Sequence, residues 1–344
     1  MAHDVVLIPG DGIGPEVSQS VRDILQAAAV EIRWIERRAG QAALDAGSDG
    51  VLPEDTVKSI QEARVALKGP CTTPVGGGFS SVNVALRKKL NLYAALRPVR
   101  SVAGVTTRFS GVDLVVVREN TEGLYSGIEN VITPGVITSL KVATEEACTR
   151  IVRFAFRYAA TRGRKKVTVL HKANIMKLGD GLFLRCARNI RESEHPDVGY
   201  EEHIIDAACM RLVQDPSRYD VILCENLYGD VVSDLCSGLV GGLGLTPGAN
   251  FGQDCAVFEA VHGSAPDIAG QDLANPMALL GSAVMMLRHL GDTRRDPNLG
   301  RAADRIRSAY GAALEAGEKT RDLGGRLGTR EFTDAVIARL RQQG

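Results

Sequence analysis

The 344-residue chain has no C-x-x-C pair, one tryptophan, no net charge and no apolar run near the ~20 residues a membrane helix needs. Each absence excludes something. The seven cysteines, at 71, 148, 186, 209, 224, 236 and 255, are odd in number and dispersed. They read as reduced thiols, not as a disulfide framework or a zinc site. Lys and Arg total 41, matching 41 Asp and Glu, so the basic excess of a duplex-binding protein is missing. Aromatics make up 5% of the residues, too few for a stacking platform, so no nucleic-acid partner is expected. Asp4-Val-Val-Leu-Ile-Pro9 enters an apolar strand without the basic segment and long apolar stretch of a signal peptide. The expectation is a soluble cytoplasmic protein with no membrane partner; a processed organellar matrix form stays open.

What is present suits two domains or one large α/β unit, with 44% hydrophobic residues to fill a full core. Val5 to Ile8 reads as a strand, and Val17, Val21, Ile24, Leu25 and Ala28 recur at helical spacing. Strand patterns return at Val65–Leu67, Leu114–Val117, Val167–Leu170 and Tyr219–Cys224. A helix is marked by Ala147, Ile151, Ala155, Tyr158 and Ala159, another spans about Pro276 to Leu290, and a closing one runs from about Asp334 to Gln342. Strands alternating with helices point to an α/β fold. Tyr125 to Lys141, rich in Val, Ile and Thr around Pro134-Gly135, predicts a projecting β-hairpin. Between Gly69 and Gly78 lies a loop whose three consecutive glycines let a backbone or ligand come close.

Gly10-Asp11-Gly12-Ile13-Gly14 invites a dinucleotide-binding reading, because it sits between a strand and a helix. The third glycine comes too early, and Pro15 occupies the place where G-x-G-x-x-G requires it. A tight strand-to-helix turn is the better account of the motif, and no pyrophosphate is assigned to it.

Asp230 and Asp234, at i and i+4 of a predicted helix, share one face. Two anions so close repel unless a cation lies between them, and Mg²⁺ or Mn²⁺ suits such oxygen donors. An N-capping Asp230 with a solvated Asp234 is the alternative. Arg87, Arg97 and Arg118 lie near element ends, where forked guanidinium groups suit a polycarboxylate only if they converge. Lys172 follows a strand edge, as a solvated lysine or, with a lowered pKa, a proton carrier. His171 and His262 fit supporting roles. The small-residue segment Glu259 to Gly270 allows a flat ligand to lie against backbone, with Asp267 able to accept from ribose hydroxyls; an ordinary surface loop is the alternative.

Together these segments resemble the isocitrate and isopropylmalate dehydrogenase family of β-decarboxylating dehydrogenases. Arg118-Glu-Asn-Thr-Glu-Gly-Leu-Tyr125, His171-Lys-Ala-Asn-Ile-Met176 and Asn226-Leu-Tyr-Gly-Asp-Val-Val-Ser-Asp234 carry the resemblance, which runs along nearly the whole chain. It implies a two-domain α/β fold that is not Rossmann. Residues 1–92 and 242–344 would form a large domain holding a cofactor loop at 259–275. Residues 93–241 would form a small domain whose clasp, about 124–142, joins a homodimer with shared active sites. Asp206, Asp230 and Asp234 are implied as metal ligands, one supplied across the dimer, and Tyr125, Lys172 and Asp206 as catalytic groups. Arg87, Arg97 and Arg118 would hold the substrate's carboxylates. Ser81 and Asn83 stand where isocitrate enzymes meet the extra carboxylate, whereas isopropylmalate enzymes place acidic and leucine side chains there; Ser80 departs from relatives with arginine. Thr73, Glu259, His262, Gly263, Ala265, Asp267, Ile268 and Asn275 are implied to bind the cofactor. Asp267-Ile268 replaces the Lys-Tyr of NADP-linked relatives, which implies NAD. The expected reaction is NAD-dependent oxidative decarboxylation of isocitrate to 2-oxoglutarate and CO₂, assisted by Mg²⁺ or Mn²⁺. Homoisocitrate or another 2-hydroxy acid as substrate, and a non-catalytic regulatory subunit, are the alternatives.

Overall fold

The computed structural model describes residues 2–73 and 81–343; the glycines at 76–78 and Ser80, singled out above, lie outside the described residues. The chain divides into two compact units, Met1–Leu90 with Ser101–Arg108 and Gly241–Gly344, and Asn91–Arg100 with Phe109–Val240. The sequence did not suggest that Ser101–Arg108 belongs with the first. Val102 and Val105 pack on that unit's apolar core, and Gly104, at φ +79°, lies against the carbonyl of Leu314 where no Cβ fits.

The first unit begins with β1 (His3–Ile8), whose last four residues are buried, and α1 (Gly14–Ala27), with Pro15 in its first turn. Val17, Val21, Ile24 and Leu25 make one buried stripe on α1. β2 (Ile32–Glu36), α2 (Gln41–Asp45), α3 (Glu54–Ala63), the wholly buried β3 (Val65–Lys68) and α4 (Val82–Lys89) follow. In the second unit come β4 (Ala94–Arg100), β5 (Asp113–Glu119), the hairpin β6 (Glu129–Thr133) and β7 (Val136–Ser139), and α5 (Glu145–Thr161). Next are β8 (Lys166–His171), α6 (Gly179–Glu194), β9 (Gly199–Ile204), α7 (Ile205–Gln214), β10 (Val221–Cys224) and α8 (Asn226–Leu239). The chain completes the first unit with β11 (Pro247–Phe251), β12 (Ala256–Ala260), α9 (Met277–Arg294), α10 (Pro297–Glu315) and α11 (Thr329–Gln342).

Strands of the first unit run in the order β2-β1-β3-β12-β11, parallel except for β11 against β12. Those of the second run β4-β5-β10-β8-β9, parallel except for β4 against β5. Buried parallel strands read as unbroken apolar runs because both faces are covered, and Leu114–Val117 and Val221–Cys224 do so. Helix α9 is buried nearly all round, from Met277 to Leu290, and forms the middle of the first unit's core with Ile24, Phe258, Ile306 and Phe332. Such a helix is held by its surroundings and not by an amphipathic stripe.

The sequence reading named no element at α2, α3, α6, α7, β4, β9, β11 or β12, and three more differ from it. Helix α10 was not anticipated, α11 starts at Thr329 instead of about Asp334, and β10 starts at Val221 because Pro216–Arg218 form a 3₁₀ turn. The hairpin is present, and every residue of β6 and β7 is exposed, including Val131 at 72% and Ile137 at 66%. No described helix is long and apolar enough to cross a membrane.

Phe258, fully buried, meets Phe251 edge to face at 5.8 Å. Phe258→Ala should lower unfolding free energy by about 3–5 kcal/mol, read from urea denaturation of the purified chain.

Candidate active site

In the second unit the site grows from the meeting of β5 and α8. Glu225 caps α8, its Oε1 accepting from the Tyr228 amide at 3.0 Å. Asp230 therefore sits in the second turn and is not the N-cap that the sequence allowed. Arg118, 1% exposed at the end of β5, passes over Gly229, where a Cβ would lie 2.5 Å from its Cγ. That close passage lets the guanidinium donate from Nε and Nη2 to Asn226 Oδ1, at 3.1 and 2.7 Å, and from Nη1 to Asp230. Asn226 is in turn fixed by donating to the Glu122 carbonyl at 3.0 Å.

Tyr125 donates to the other carboxylate oxygen of Asp230, with the Arg118 guanidinium 4.9 Å from its ring centre. Burial, then the hydrogen bond and charge of Asp230, push the Tyr125 phenol upward, so it stays protonated. Arg97, also buried, reaches Ser233 at 2.5 Å, Asp234 at 3.2 Å and Asp230 at 3.6 Å. Burial raises the carboxyl of Asp234 and the charge of Asp230 adds to that, with Arg97 opposing. Five of the sequence-selected residues thus converge: Arg97, Arg118, Tyr125, Asp230 and Asp234.

Lys172 and Asp206 form their own pair at 2.5 Å, and the hydrogen bond from Lys172 holds the largely exposed Asp206 below the usual carboxylate range. Among the described residues no group of three His, Cys, Asp or Glu could hold a metal ion, so one chain does not assemble Asp206 with Asp230 and Asp234. The backbone of Lys172 is tied down by Asp180, which accepts from its amide at 2.6 Å and from Lys141 Nζ at 2.7 Å. Sequence reasoning missed Asp180, Lys141 and Asn226. Nothing in their spacing separates them from surface residues. His171 caps the turn, its Nδ1 accepting from the Ala173 amide at 3.0 Å.

The first unit holds the other candidates. Ser81 precedes α4 as its backbone N-cap. Asn83 Oδ1 and Arg87 Nε are buried without a hydrogen-bond partner among the described residues. Arg87 lies 3.6 Å from Glu259, which also pairs with Lys68 at 2.8 Å and accepts from Asn250 at 2.7 Å. Burial alone would raise the Glu259 carboxyl; Lys68 and Arg87 outweigh it and bring it to about 2. Two cations thus share one buried carboxylate, and Lys68 is a member that the sequence did not reveal.

Glu259 was expected among the cofactor residues, but its side chain is committed inside the fold. So is that of Asn275, which accepts from the Met277 amide at 3.0 Å and donates to Asp322 at 2.8 Å. Thr73 is exposed, and Asp267 is exposed in the 3₁₀ turn Pro266–Ile268, after Ala265 at φ +37°. His262 Nδ1 lies 3.0 Å from the Gly263 carbonyl, and its buried Nε2 has no partner among the described residues. Burial lowers the imidazole's pKa, favouring the neutral ring.

A family model described as isocitrate/isopropylmalate dehydrogenase matches residues 4–336. The chain belongs to this family. A probable NAD isocitrate dehydrogenase subunit alpha, mitochondrial, of Drosophila melanogaster is 52% identical over 98% of this chain and 87% of that protein. A chloroplastic 3-isopropylmalate dehydrogenase of Solanum tuberosum is 50% identical over 91% of this chain and 85% of that protein. A crystal structure of isocitrate dehydrogenase from Methylococcus capsulatus superposes with a TM-score of 0.93 at 47% identity, covering 99% of this chain and all of that one. Membership settles the fold as the isocitrate/isopropylmalate dehydrogenase α/β architecture and rules out a Rossmann domain. Overall identity does not separate substrates within the family, since two relatives of different specificity stand 52% and 50% identical.

The Glu259 carboxyl, held near 2 against 4.5 for a free glutamate, contributes stability that is complete above pH 4.5 and lost as pH falls towards 2. Glu259→Gln should cost on the order of 3–5 kcal/mol at neutral pH by stranding Lys68. That deficit should shrink as urea melts are taken down through this window.

Proposed function

We propose that the protein oxidises and decarboxylates isocitrate to 2-oxoglutarate and CO₂, using NAD and a divalent cation. The observation that carries the reading is the convergence of Arg97, Arg118 and Tyr125 on Asp230 and Asp234. Two buried guanidinium groups supply forked grips for carboxylates beside an acidic pair and a protonated phenol. On the other unit, the unpartnered Asn83 Oδ1 and Arg87 Nε, with two cations to one carboxylate, favour a further anionic group. That suits the γ-carboxylate of isocitrate better than the isopropyl group of isopropylmalate. The absence of Lys-Tyr at Asp267-Ile268 favours NAD, because an exposed carboxylate repels a 2′-phosphate.

Asp230 and Asp234 fit Mg²⁺ or Mn²⁺ as hard donors one helical turn apart, and a cation would offset the burial, and the lesser repulsion from Asp230, that raise Asp234. When bound, it would polarise the substrate's hydroxyl and adjacent carboxylate. The third ligand in this reading is Asp206 of a second copy, with Lys172 arriving beside it. Exposed Val131, Ile132, Val136 and Ile137 on the hairpin supply an apolar surface for such a homodimer.

The chemistry left to the side chains is positioning and proton transfer. Arg97 and Arg118 on the second unit, and Arg87 on the first, would each hold a carboxylate and so orient the substrate, and NAD, when bound, would supply the hydride acceptor. Asp206 or Lys172 takes the hydroxyl proton. After loss of the β-carboxylate, Tyr125 returns a proton to C3, a task for which its raised pKa keeps the phenol loaded.

Side-by-side kinetics with NAD and NADP should give isocitrate a kcat/KM at least about a hundredfold above those of homoisocitrate and isopropylmalate, with NAD preferred. A higher value for isopropylmalate overturns the substrate assignment, and a purified homo-oligomer without turnover points to a regulatory subunit. Chelation should abolish turnover until Mg²⁺ or Mn²⁺ is restored. Tyr125→Phe should slow decarboxylation about 10²–10⁴-fold while sparing reduction of added oxalosuccinate, followed by NADH consumption. Equal loss in both steps counts against the phenol as proton donor. Ile132→Lys with Ile137→Lys should yield monomers of low activity on size-exclusion chromatography.

A further inference from the structure

The Gly10-Asp11-Gly12-Ile13-Gly14 turn, rejected above as a pyrophosphate cradle, holds two loops of the first unit. Asp11 is 7% exposed, and among the described residues no lysine or arginine pairs with it. Its carboxylate accepts three backbone N–H groups, from Gln41 at 3.1 Å, Ala42 at 2.9 Å and Thr72 at 2.8 Å. The Asp11 amide donates to the Pro70 carbonyl at 2.7 Å, and the Ile13 amide donates to the Ser264 carbonyl at 2.9 Å. Both glycines beside it are required by contact. A Cβ on Gly10 would lie 2.1 Å from the Pro70 carbonyl oxygen, and one on Gly12 equally close to that of Ser264. The loops so gathered also bond each other, Thr72 Oγ1 to Ser264 Oγ at 2.7 Å.

One of these loops includes Thr73 and the other contains His262, Gly263 and Ala265. We infer that Asp11 is a positioning residue for the dinucleotide, fixing the backbone at Thr72 against the loop around Ser264 so that both present a preformed surface to NAD. The inference rests on the NAD reading above. A carboxylate suits the position because three donors need acceptors only, whereas an asparagine would turn its own NH₂ towards at least one of them. Loss of a buried acceptor leaves the amides unsatisfied and the loop free to shift, which weakens binding of the ligand resting on it.

The test compares wild type with Asp11→Asn and Ser264→Ala. Asp11→Asn should raise KM for NAD, and the Kd of NAD by calorimetry, about tenfold, with KM for isocitrate within about twofold of wild type. Ser264→Ala, which cuts only the tie between the loops, should move the same two quantities about threefold. Hydrogen exchange should show the Thr72 amide losing protection in Asp11→Asn. Unchanged NAD affinity in both variants overturns the inference. So does a parallel rise of both KM values with a lowered melting temperature, because that marks general loosening. If Asp11→Asn does not fold, Ser264→Ala decides by the same criteria. Wild-type protein that binds NAD without oxidising isocitrate sinks the reaction assigned above and leaves this inference standing, whereas wild type that binds no NAD removes both.

Discussion

A guanidinium buried to 1% exposure must have its donors met, and the second unit's site is arranged around that requirement for Arg118. Asn226 and Asp230 meet it because helix α8 starts where it does, and the start is set by Glu225 as cap. Gly229 is the steric condition, since a side chain there would displace the arginine. Tyr125 and Arg97 then close on the same carboxylates. A change at any of these positions reaches Asp230, so the phenol, the arginines and the acidic pair behave as one unit and not as separable contributions.

The first unit solves a different electrostatic problem. Lys68 lies almost wholly out of water and would lose its proton there if left alone; Glu259 keeps it charged, so that its pKa is raised despite burial. Arg87 shares that carboxylate at a longer distance. The cluster therefore carries surplus positive charge within the protein, and an anionic group brought to Arg87 restores balance.

Much of this was legible in the residues, for identifiable reasons. Buried parallel strands and the stripe on α1 announce themselves by periodicity, as does the exposed hairpin by its turn. The i, i+4 placement of Asp230 and Asp234 held, because α8 is a regular helix through both. What escaped were positions whose meaning lies in long-range contact. Lys68 is four residues into an apolar stretch and looks like its punctuation, yet its partner is Glu259. Asp180 and Lys141 meet across 39 residues of chain. Glu259 and Asn275 lie in a segment that the family resemblance marks for a cofactor, and their side-chain partners Lys68, Asn250 and Asp322 could not be read from it. The glycine motif was read as a turn, while its carboxylate went unremarked because amide donors from two distant segments, Gln41-Ala42 and Thr72, leave no trace in local sequence.

The first unit is also discontinuous, and this bears on how the protein comes into being. Val65 pairs with Ala256, and Glu16 on α1 accepts from Thr329 at the start of α11. During synthesis β3 therefore waits with one edge bare until the chain has run through the second unit and out again. The second unit, most of it the unbroken stretch Phe109–Val240, can close while the ribosome is still working. Vectorial assembly thus allows the half bearing Arg118 and Asp230 to close before the half bearing Arg87 and Lys68.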